Sequence, residues 1–186
     1  MKALKWILIV VIVLVALFYF VGQPFLKEQT KKNSPEKIAT FKEDGMEMTV
    51  NYSSPFKKDR IIFGDLVPYN VVWRTGANEP TTFTTSTDIK IMDKNLPAGT
   101  YSLWTKPSKD QWEIIFNKEV PAWGVTILSG GKDTTRNPEE DIVKVVVPTA
   151  NITEVLESFT IDFEGKDPVL LTMAWDKTKV SIPINK

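Results

Sequence analysis

The sequence contains neither cysteine nor histidine in its 186 residues. Without cysteine the chain has no disulfide, no thiol nucleophile and no cysteine-ligated iron–sulfur cluster. Without histidine it cannot form a Ser-His-Asp triad, a histidine-ligated zinc site or the facial triad of non-haem iron enzymes. Any catalysis would therefore have to use carboxylate, lysine, tyrosine or hydroxyl side chains, and any metal site would have to be built from oxygen ligands.

The sequence also lacks an excess of charge of either sign, since 23 Lys+Arg balance 23 Asp+Glu. A protein that binds a nucleic-acid backbone needs a basic surface, so we expect no nucleic-acid partner. The acidic run Glu139–Asp141 lacks the alternating ligand spacing of a calcium loop. We therefore predict no metal site and no cofactor.

A long apolar run is present at the N-terminus. Trp6 to Val21 is 16 uninterrupted apolar residues, and Lys5 and Lys27 bracket 21 residues without a charge. At ~1.5 Å per residue, a helix of that length spans roughly 31 Å, close to the hydrocarbon thickness of a bilayer. The pattern predicts a transmembrane signal anchor over residues 1–26.

A cleaved signal peptide is the alternative interpretation of this run. The run is longer than the ~7–15 residues usual for a signal peptide, and no A-x-A-like cleavage site follows it. Lysines on the two sides nearly balance, but a short tail before such a run usually stays in the cytoplasm. We therefore expect an anchor in the cytoplasmic membrane, with the remaining chain in the periplasm or cell envelope.

The chain after the anchor divides into a polar linker, residues 27–45, and a domain, residues 46–186. Within the domain, apolar residues alternate with polar ones over short stretches, as in Trp112–Asn117 and Ser158–Glu164. Turn sequences containing Gly, Pro or Asp separate these stretches. This pattern predicts an all-β domain, an antiparallel β-sandwich of about ten strands, with a barrel as the less favoured alternative.

The domain contains several distinctive motifs, which include Tyr52–Pro55, Gly64–Tyr69, Val72–Glu79 and Leu96–Leu103. Their arrangement resembles that of a bacterial family catalogued as domain of unknown function 2911. The sequence resembles this family over essentially all of residues 46–186, although Asn70 stands where a glycine is usual. The resemblance implies an exported, all-β protein without an assigned activity, so no catalytic residue can be transferred from it.

The most polar of these motifs contains Arg74, Asn78 and Glu79. If the residues around Trp73 form a strand and Gly76–Asn78 form a turn, with Asn78 at positive φ, Arg74 and Glu79 come to one side of a hairpin. One interpretation is an ion pair that only stabilises the hairpin. The other is that the three side chains form the polar end of a cleft, in which the guanidinium binds a carboxylate or sulfate.

Aromatic residues supply further candidates. In a strand, Tyr101 and Leu103 would share one face and Trp104 would lie on the other. If Tyr101 and Leu103 face the core, Trp104 lies on the outer face, either exposed or covered by a loop. Trp123 lies in a predicted loop, where an exposed ring would stack on a sugar or on a partner protein. With Tyr69 from the family motif, the candidate ligand-binding residues are Arg74, Asn78, Glu79, Tyr69, Trp104 and Trp123.

These observations favour a membrane-anchored protein of the cell envelope whose extracytoplasmic domain is a binding or assembly module, with a glycan or an envelope protein as its partner. The alternative is a carboxylate-dependent hydrolase acting on envelope glycans. It would need Glu79 and one of Glu113, Asp162 or Glu164 at the spacing found in glycosidases. The sequence favours a non-enzyme, and we assign no catalytic residue.

Overall fold

The computed structural model describes residues 2–126, 129, 131 and 133–186. The chain forms two compact units, an N-terminal unit that ends at Asn33 and a second unit, Ser34–Lys186. The N-terminal unit contains α1 (Lys2–Leu17), a π-helical turn (Phe18–Gly22) and α2 (Gln23–Asn33). Among the described residues, one helical stretch, Leu4–Asn33, is long and apolar enough to cross a membrane, a test that an N-terminal signal sequence also passes.

The second unit is built from β-strands. Its described residues form nine strands: β1 (Glu36–Glu43), β2 (Met46–Ser53), β3 (Thr81–Thr85), β4 (Ile89–Ile91), β5 (Lys94–Leu96), β6 (Gly99–Pro107), β7 (Gln111–Asn117), β8 (Asp141–Glu164) and β9 (Val169–Asn185). They make one sheet in the order β1-β2-β3-β6-β7-β8-β9-β4-β5, and every pairing is antiparallel. The predicted all-β antiparallel fold with one N-terminal apolar helix is confirmed.

The two long strands β8 and β9 explain how one sheet can enclose a core. The first part of β8 pairs with β7, and the part from Thr149 onward pairs with β9, with shifts of register that bend the strand. The chain after β2 also bonds to β8, where the Phe159 N–H donates to the Pro55 carbonyl at 3.0 Å. Since β2 and β8 are not neighbours in the strand order, the sheet has to curl over its own core.

Strand β1 lies inside the segment that the sequence predicts as a linker. Its buried residues are Ala39 and Phe41, and the charged residues around them are exposed. A two-residue turn at Asp44 and Gly45, with φ of 52° and 74°, joins β1 to β2. Charged residues are common on edge strands, which explains why the composition resembles a linker. The polar segment before the domain therefore ends near residue 34, earlier than predicted.

The apolar residues of alternating stretches meet in the core, as their period predicts. Trp112, Ile114 and Phe116 of β7 are buried in the same cluster as Phe159 and Ile161 of β8. One part of this core is rich in aromatic rings, with centroids 4.9–6.3 Å apart. This aromatic cluster consists of Phe63, Trp73, Trp112, Phe159 and Trp175.

The fold predicts very different costs for the same substitution at two isoleucines in strands. Ile114 is 0% exposed and Ile38 is 65% exposed. We expect Ile114→Ala to lower the free energy of unfolding by about 2–5 kcal/mol, because it leaves a cavity in the core. Ile38→Ala is the matched control and should cost about 0.5 kcal/mol. Denaturant unfolding measures both, and equal costs would contradict this core.

Candidate functional site

The segment between β2 and β3 is attached to the sheet by one β-bridge. The Trp73 N–H donates to the Thr105 carbonyl at 2.7 Å, and the Thr105 N–H donates to the Trp73 carbonyl at 3.0 Å. The Trp73 ring is stacked on Trp175, with centroids 6.1 Å apart and an interplanar angle of 16°. The backbone hydrogen bonds and the ring contact of Trp73 together fix the position of the backbone at Arg74, the next residue.

The residues after Arg74 do not form the simple hairpin that the sequence predicts. Thr75, Gly76 and Asn78 all have positive φ, of 57°, 148° and 60°. Asn78 thus adopts the backbone conformation that the sequence predicts for it. Glycine is required at position 76, because a Cβ there would lie 2.8 Å from the Ser53 carbonyl oxygen.

These turns separate the two charges that the sequence predicts to pair. Arg74 lines a cavity of about 460 Å³, whereas Glu79 lines a smaller cavity of about 180 Å³ together with Glu36 and Tyr52. No Arg74–Glu79 ion pair occurs among the described residues. The predicted pair is therefore wrong, because positive φ values at Thr75, Gly76 and Asn78 redirect the chain between the two charges.

The Arg74 cavity has mostly apolar walls. Its volume falls within the range of small-molecule sites, about 300–1,000 Å³. Arg74 is the charged side chain among its described lining residues, and Thr134 carries the hydroxyl. The lining residues are Leu66, Val67, Pro68, Val71, Val72, Trp73, Arg74, Val125, Gly131 and Thr134.

Arg74 has no carboxylate partner among the described residues. The five residues outside the description are methionine, isoleucine, leucine, glycine and lysine, which carry no carboxylate. The Nε of Arg74 is buried and has no hydrogen-bond partner among the residues that the structure describes. Burial lowers the pKa of the Arg74 guanidinium below its usual value, but arginine stays protonated in proteins. The cavity thus contains an uncompensated positive charge.

The chain's other two arginines have partners. Arg136 pairs with Asp141, and the Nε of Arg60 donates to the Lys57 carbonyl at 3.1 Å. Arg74 therefore differs from Arg136 in having no carboxylate partner among the described residues, and from Arg60, which is exposed to water, in being half-buried without a partner for its Nε.

Asn78 and Gly124 lie next to Arg74. Asn78 is 9% exposed, and its Nδ2 has no hydrogen-bond partner in the described part of the chain. The Gly124 N–H donates to the Asn78 carbonyl at 3.2 Å. A Cβ at position 124 would collide with Cδ of Arg74, so only glycine leaves room for the arginine. The Arg74 side chain and the Asn78 carbonyl thus both lie beside Gly124, but neither Asn78 nor Glu79 is among the described residues that line the Arg74 cavity.

Three unfavourable features occur within this short segment. Thr75 is a β-branched residue at positive φ. Within the described part of the chain, Arg74 is a half-buried charge without an ion-pair partner, and the buried Nδ2 of Asn78 has no hydrogen-bond partner. Backbone strain at such a positive φ costs about 1–3 kcal/mol, and an unsatisfied buried donor costs about 1–3 kcal/mol. Natural sequences retain such local conflicts mainly where function requires them.

The other candidates do not line the Arg74 cavity. Tyr69 is half-buried and its ring packs against Gly64, while Asn70 has φ of 62°, a conformation that also suits the glycine usual there. Trp123 is half-buried.

Trp104 is fully buried, which agrees with the alternative of an outer-face ring covered by a loop and not with an exposed ring. Its Nε1 donates to the Ser102 hydroxyl at 2.7 Å, and that hydroxyl donates to the Glu119 carbonyl at 2.6 Å. The chain after β7 thus passes over this face of the sheet, and the ring is not available for stacking on a sugar.

The carboxylates named for a hydrolase are dispersed. Glu113 lines another cavity, Glu164 pairs with Lys179 at 2.7 Å, and Asp162 accepts from the Phe163 N–H at 2.8 Å. None of the three lines the cavity of Glu79. The acid–base pairs that the sequence suggests are therefore not assembled in one cavity.

A buried carboxylate holds the chain segment that forms the far wall of the Arg74 cavity. Asp141 is 3% exposed and accepts hydrogen bonds from Arg136, from Lys144 at 2.7 Å and from the Asn117 amide at 2.8 Å. Burial alone would raise the pKa of Asp141, but these hydrogen bonds outweigh it and lower the pKa below 3.8. These contacts join Asn117, Arg136 and Asp141, and the described residues between Asn117 and Arg136 include Val125 and Thr134.

Residues of this far wall were not identified from the sequence. Val125 and Thr134 are about fifty and sixty residues from Arg74 along the chain, and nothing in their local pattern distinguishes them. Leu66 lies in the motif Gly64–Tyr69 and Val71 lies just after it. Apolar residues between turn sequences are the one feature of the sequence that could have indicated them as wall residues.

Comparison with known proteins agrees with the motif-based resemblance. The family model described as "Protein of unknown function (DUF2911)" matches residues 34–184. The match begins before β1, which supports a domain that includes this strand. No curated protein and no solved structure matches the chain.

The Asp141 cluster predicts an acid-dependent contribution to stability. The pKa of Asp141 is lower in the folded than in the unfolded protein, so its contribution is complete above about pH 4 and is lost as pH falls through the folded value. We expect Asp141→Asn to cost about 1.5–3 kcal/mol at neutral pH, because charged hydrogen bonds are lost. The difference from wild type should shrink in acid.

The matched control is Glu139→Gln, an exposed acid on the adjacent 3-10 turn, which should change stability by about 0.5 kcal/mol or less. Urea unfolding at a series of pH values measures both variants. A cost for Asp141→Asn that does not change with pH would contradict the assignment.

Proposed function

The chain belongs to the DUF2911 family, whose description gives no function, and for this member we propose a membrane-tethered binding protein of the cell envelope that takes an acidic ligand at Arg74. The N-terminal helix holds the protein in the cytoplasmic membrane. The β-domain lies outside the cytoplasm and binds its ligand in the cavity of about 460 Å³ beside Trp73.

The observation that carries this proposal is the unmatched charge of Arg74 in an apolar cavity. A partly desolvated cation is unfavourable unless an anion pairs with it. A carboxylate supplied by a ligand would accept two parallel hydrogen bonds from the guanidinium, including one from the unpartnered Nε. The ligand thus completes an interaction that the described residues leave open.

Binding is favoured over hydrolysis by what surrounds Arg74. The cavity presents apolar side chains and one cation, with no carboxylate among its described lining residues to act as acid or base. Stacking of a glycan on exposed aromatic rings is less favoured, because Trp104 is buried. A small acidic molecule suits the cavity better than a polysaccharide.

The membrane location rests on the helix Leu4–Asn33, whose apolar side chains are exposed to the surroundings. Exposed apolar surface of this extent is unfavourable in water and favourable in lipid. The absence of a typical cleavage site after the apolar run supports retention of the helix.

The binding proposal predicts stabilisation by a small carboxylate through Arg74. With acetate replacing chloride at constant ionic strength, the wild-type protein should become more stable, by about 1.4 kcal/mol at ten times the dissociation constant. Arg74→Gln should lose this gain. Arg60→Gln, which removes the same charge from an exposed position, should keep it. Equal gains in all three proteins, measured by thermal unfolding, would refute the proposal.

The topology predicts that the protein stays in the membrane fraction after a high-pH wash. Protease added to spheroplasts should remove the β-domain, because the domain faces outward. Protection of the domain would contradict the orientation, and a mature protein that begins beyond Val21 would identify the helix as a cleaved signal.

A further inference from the structure

We infer that the ligand of the Arg74 cavity is an amphiphile with a single negative charge, an acyl carboxylate whose hydrocarbon chain lies against the apolar walls. This inference rests on the proposed binding at Arg74 and adds the chemical class of the ligand.

The walls favour a hydrocarbon body. Val67, Val72, Trp73 and Val125 line the cavity, and they offer an acyl chain contact but no hydrogen bonds. A sugar or a nucleotide has many hydroxyl or ring-nitrogen groups, and each would lose its water without gaining a partner there.

The apolar surface continues beyond the enclosed part of the cavity. Leu66 and Val71 also line it and are 42% and 45% exposed. A hydrocarbon chain that covers these two aliphatic side chains would remove their apolar surface from water. Burial of apolar surface is favourable.

The charge of the site favours a single negative charge on the ligand. Arg74 is the sole cation among the described lining residues. A second negative charge would be desolvated without a partner, at a cost of several kcal/mol. A carboxylate carries one charge, and its two oxygens match the spacing of the guanidinium donors.

The test is a binding series with full-length protein in lipid nanodiscs, using butanoate, hexanoate and octanoate in isothermal titration. Affinity should rise about fourfold with each buried methylene, and roughly 200-fold from butanoate to octanoate. Octanamide, which has the same chain without the charge, should bind far more weakly. Octyl phosphate, with more than one negative charge above neutral pH, should bind more weakly than octanoate.

Two variants distinguish the contribution of the Arg74 charge to octanoate binding from the contribution of the apolar walls, and Arg60→Gln is the control. Arg74→Gln should lose octanoate binding, and Arg60→Gln should retain it. Octanoate also partitions into the nanodisc lipid, but this background is the same for both variants. Val71→Thr keeps the shape of the side chain but makes it polar at an exposed position. It should weaken octanoate binding several-fold and acetate binding much less.

The outcomes distinguish this inference from the proposed function. If acetate stabilises the protein through Arg74 but affinity does not rise with chain length, the inference is wrong and the proposed function stands. Tighter binding of octyl phosphate than of octanoate also overturns the inference alone. If octanoate binds wild type and Arg74→Gln equally and acetate has no effect through Arg74, both are wrong.

Discussion

The antiparallel bridge between Trp73 and Thr105 is the constraint on which the candidate site depends. It holds the chain against β6 and places the Trp73 ring in the aromatic cluster, in contact with Trp175. Arg74 follows at once, so its charged group has to leave the core and enter the adjacent cavity. The positive φ values at Thr75 and Asn78 then carry the chain away, which removes Glu79 as a partner.

The rest of the fold supplies what this arrangement needs. The curled sheet gives a core large enough to tolerate a strained segment at its border, because the cost of a few kcal/mol is spread over many buried side chains. Gly124 allows the chain to pass directly over Arg74. Asp141 accepts hydrogen bonds from three side chains and so holds in place the part of the chain to which Val125 and Thr134 of the cavity wall belong. Stability elsewhere thus permits an unmatched charge here.

The sequence predicts the parts of this structure that depend on local periodicity. Alternation identifies β7 and the end of β8, because a strand with one buried face repeats every two residues. The sequence does not predict strand β1, because only two of its residues are buried and its charged residues resemble those of a linker. The asparagine at position 78 indicates its turn, but a β-branched residue such as Thr75 at positive φ has no signal in the sequence.

The candidate site was predicted in part for the same reason. Arg74 and Asn78 could be chosen from residue type and spacing, whereas their surroundings depend on contacts distant in sequence. Burial of Trp104 depends on the chain after β7, and the separation of Arg74 from Glu79 depends on backbone angles. Arg74, Asn78 and Glu79 stand together in one motif of the sequence, but the motif does not indicate that the arginine is left unmatched.

The most direct test of an open charge at Arg74 is nuclear magnetic resonance of the Nε–H groups of the chain's three arginines during a titration with formate. The Nε of Arg60 already donates within the chain, and the guanidinium of Arg136, whose Nε also has no partner among the described residues, is already paired with Asp141 through Nη1. The resonances of both arginines should therefore stay in place. The Arg74 resonance should shift to a saturating value as its unpartnered Nε–H begins to donate to the formate carboxylate. A resonance of Arg74 that moves no more than that of Arg60 would contradict the central claim that this arginine is a receptor for an anion.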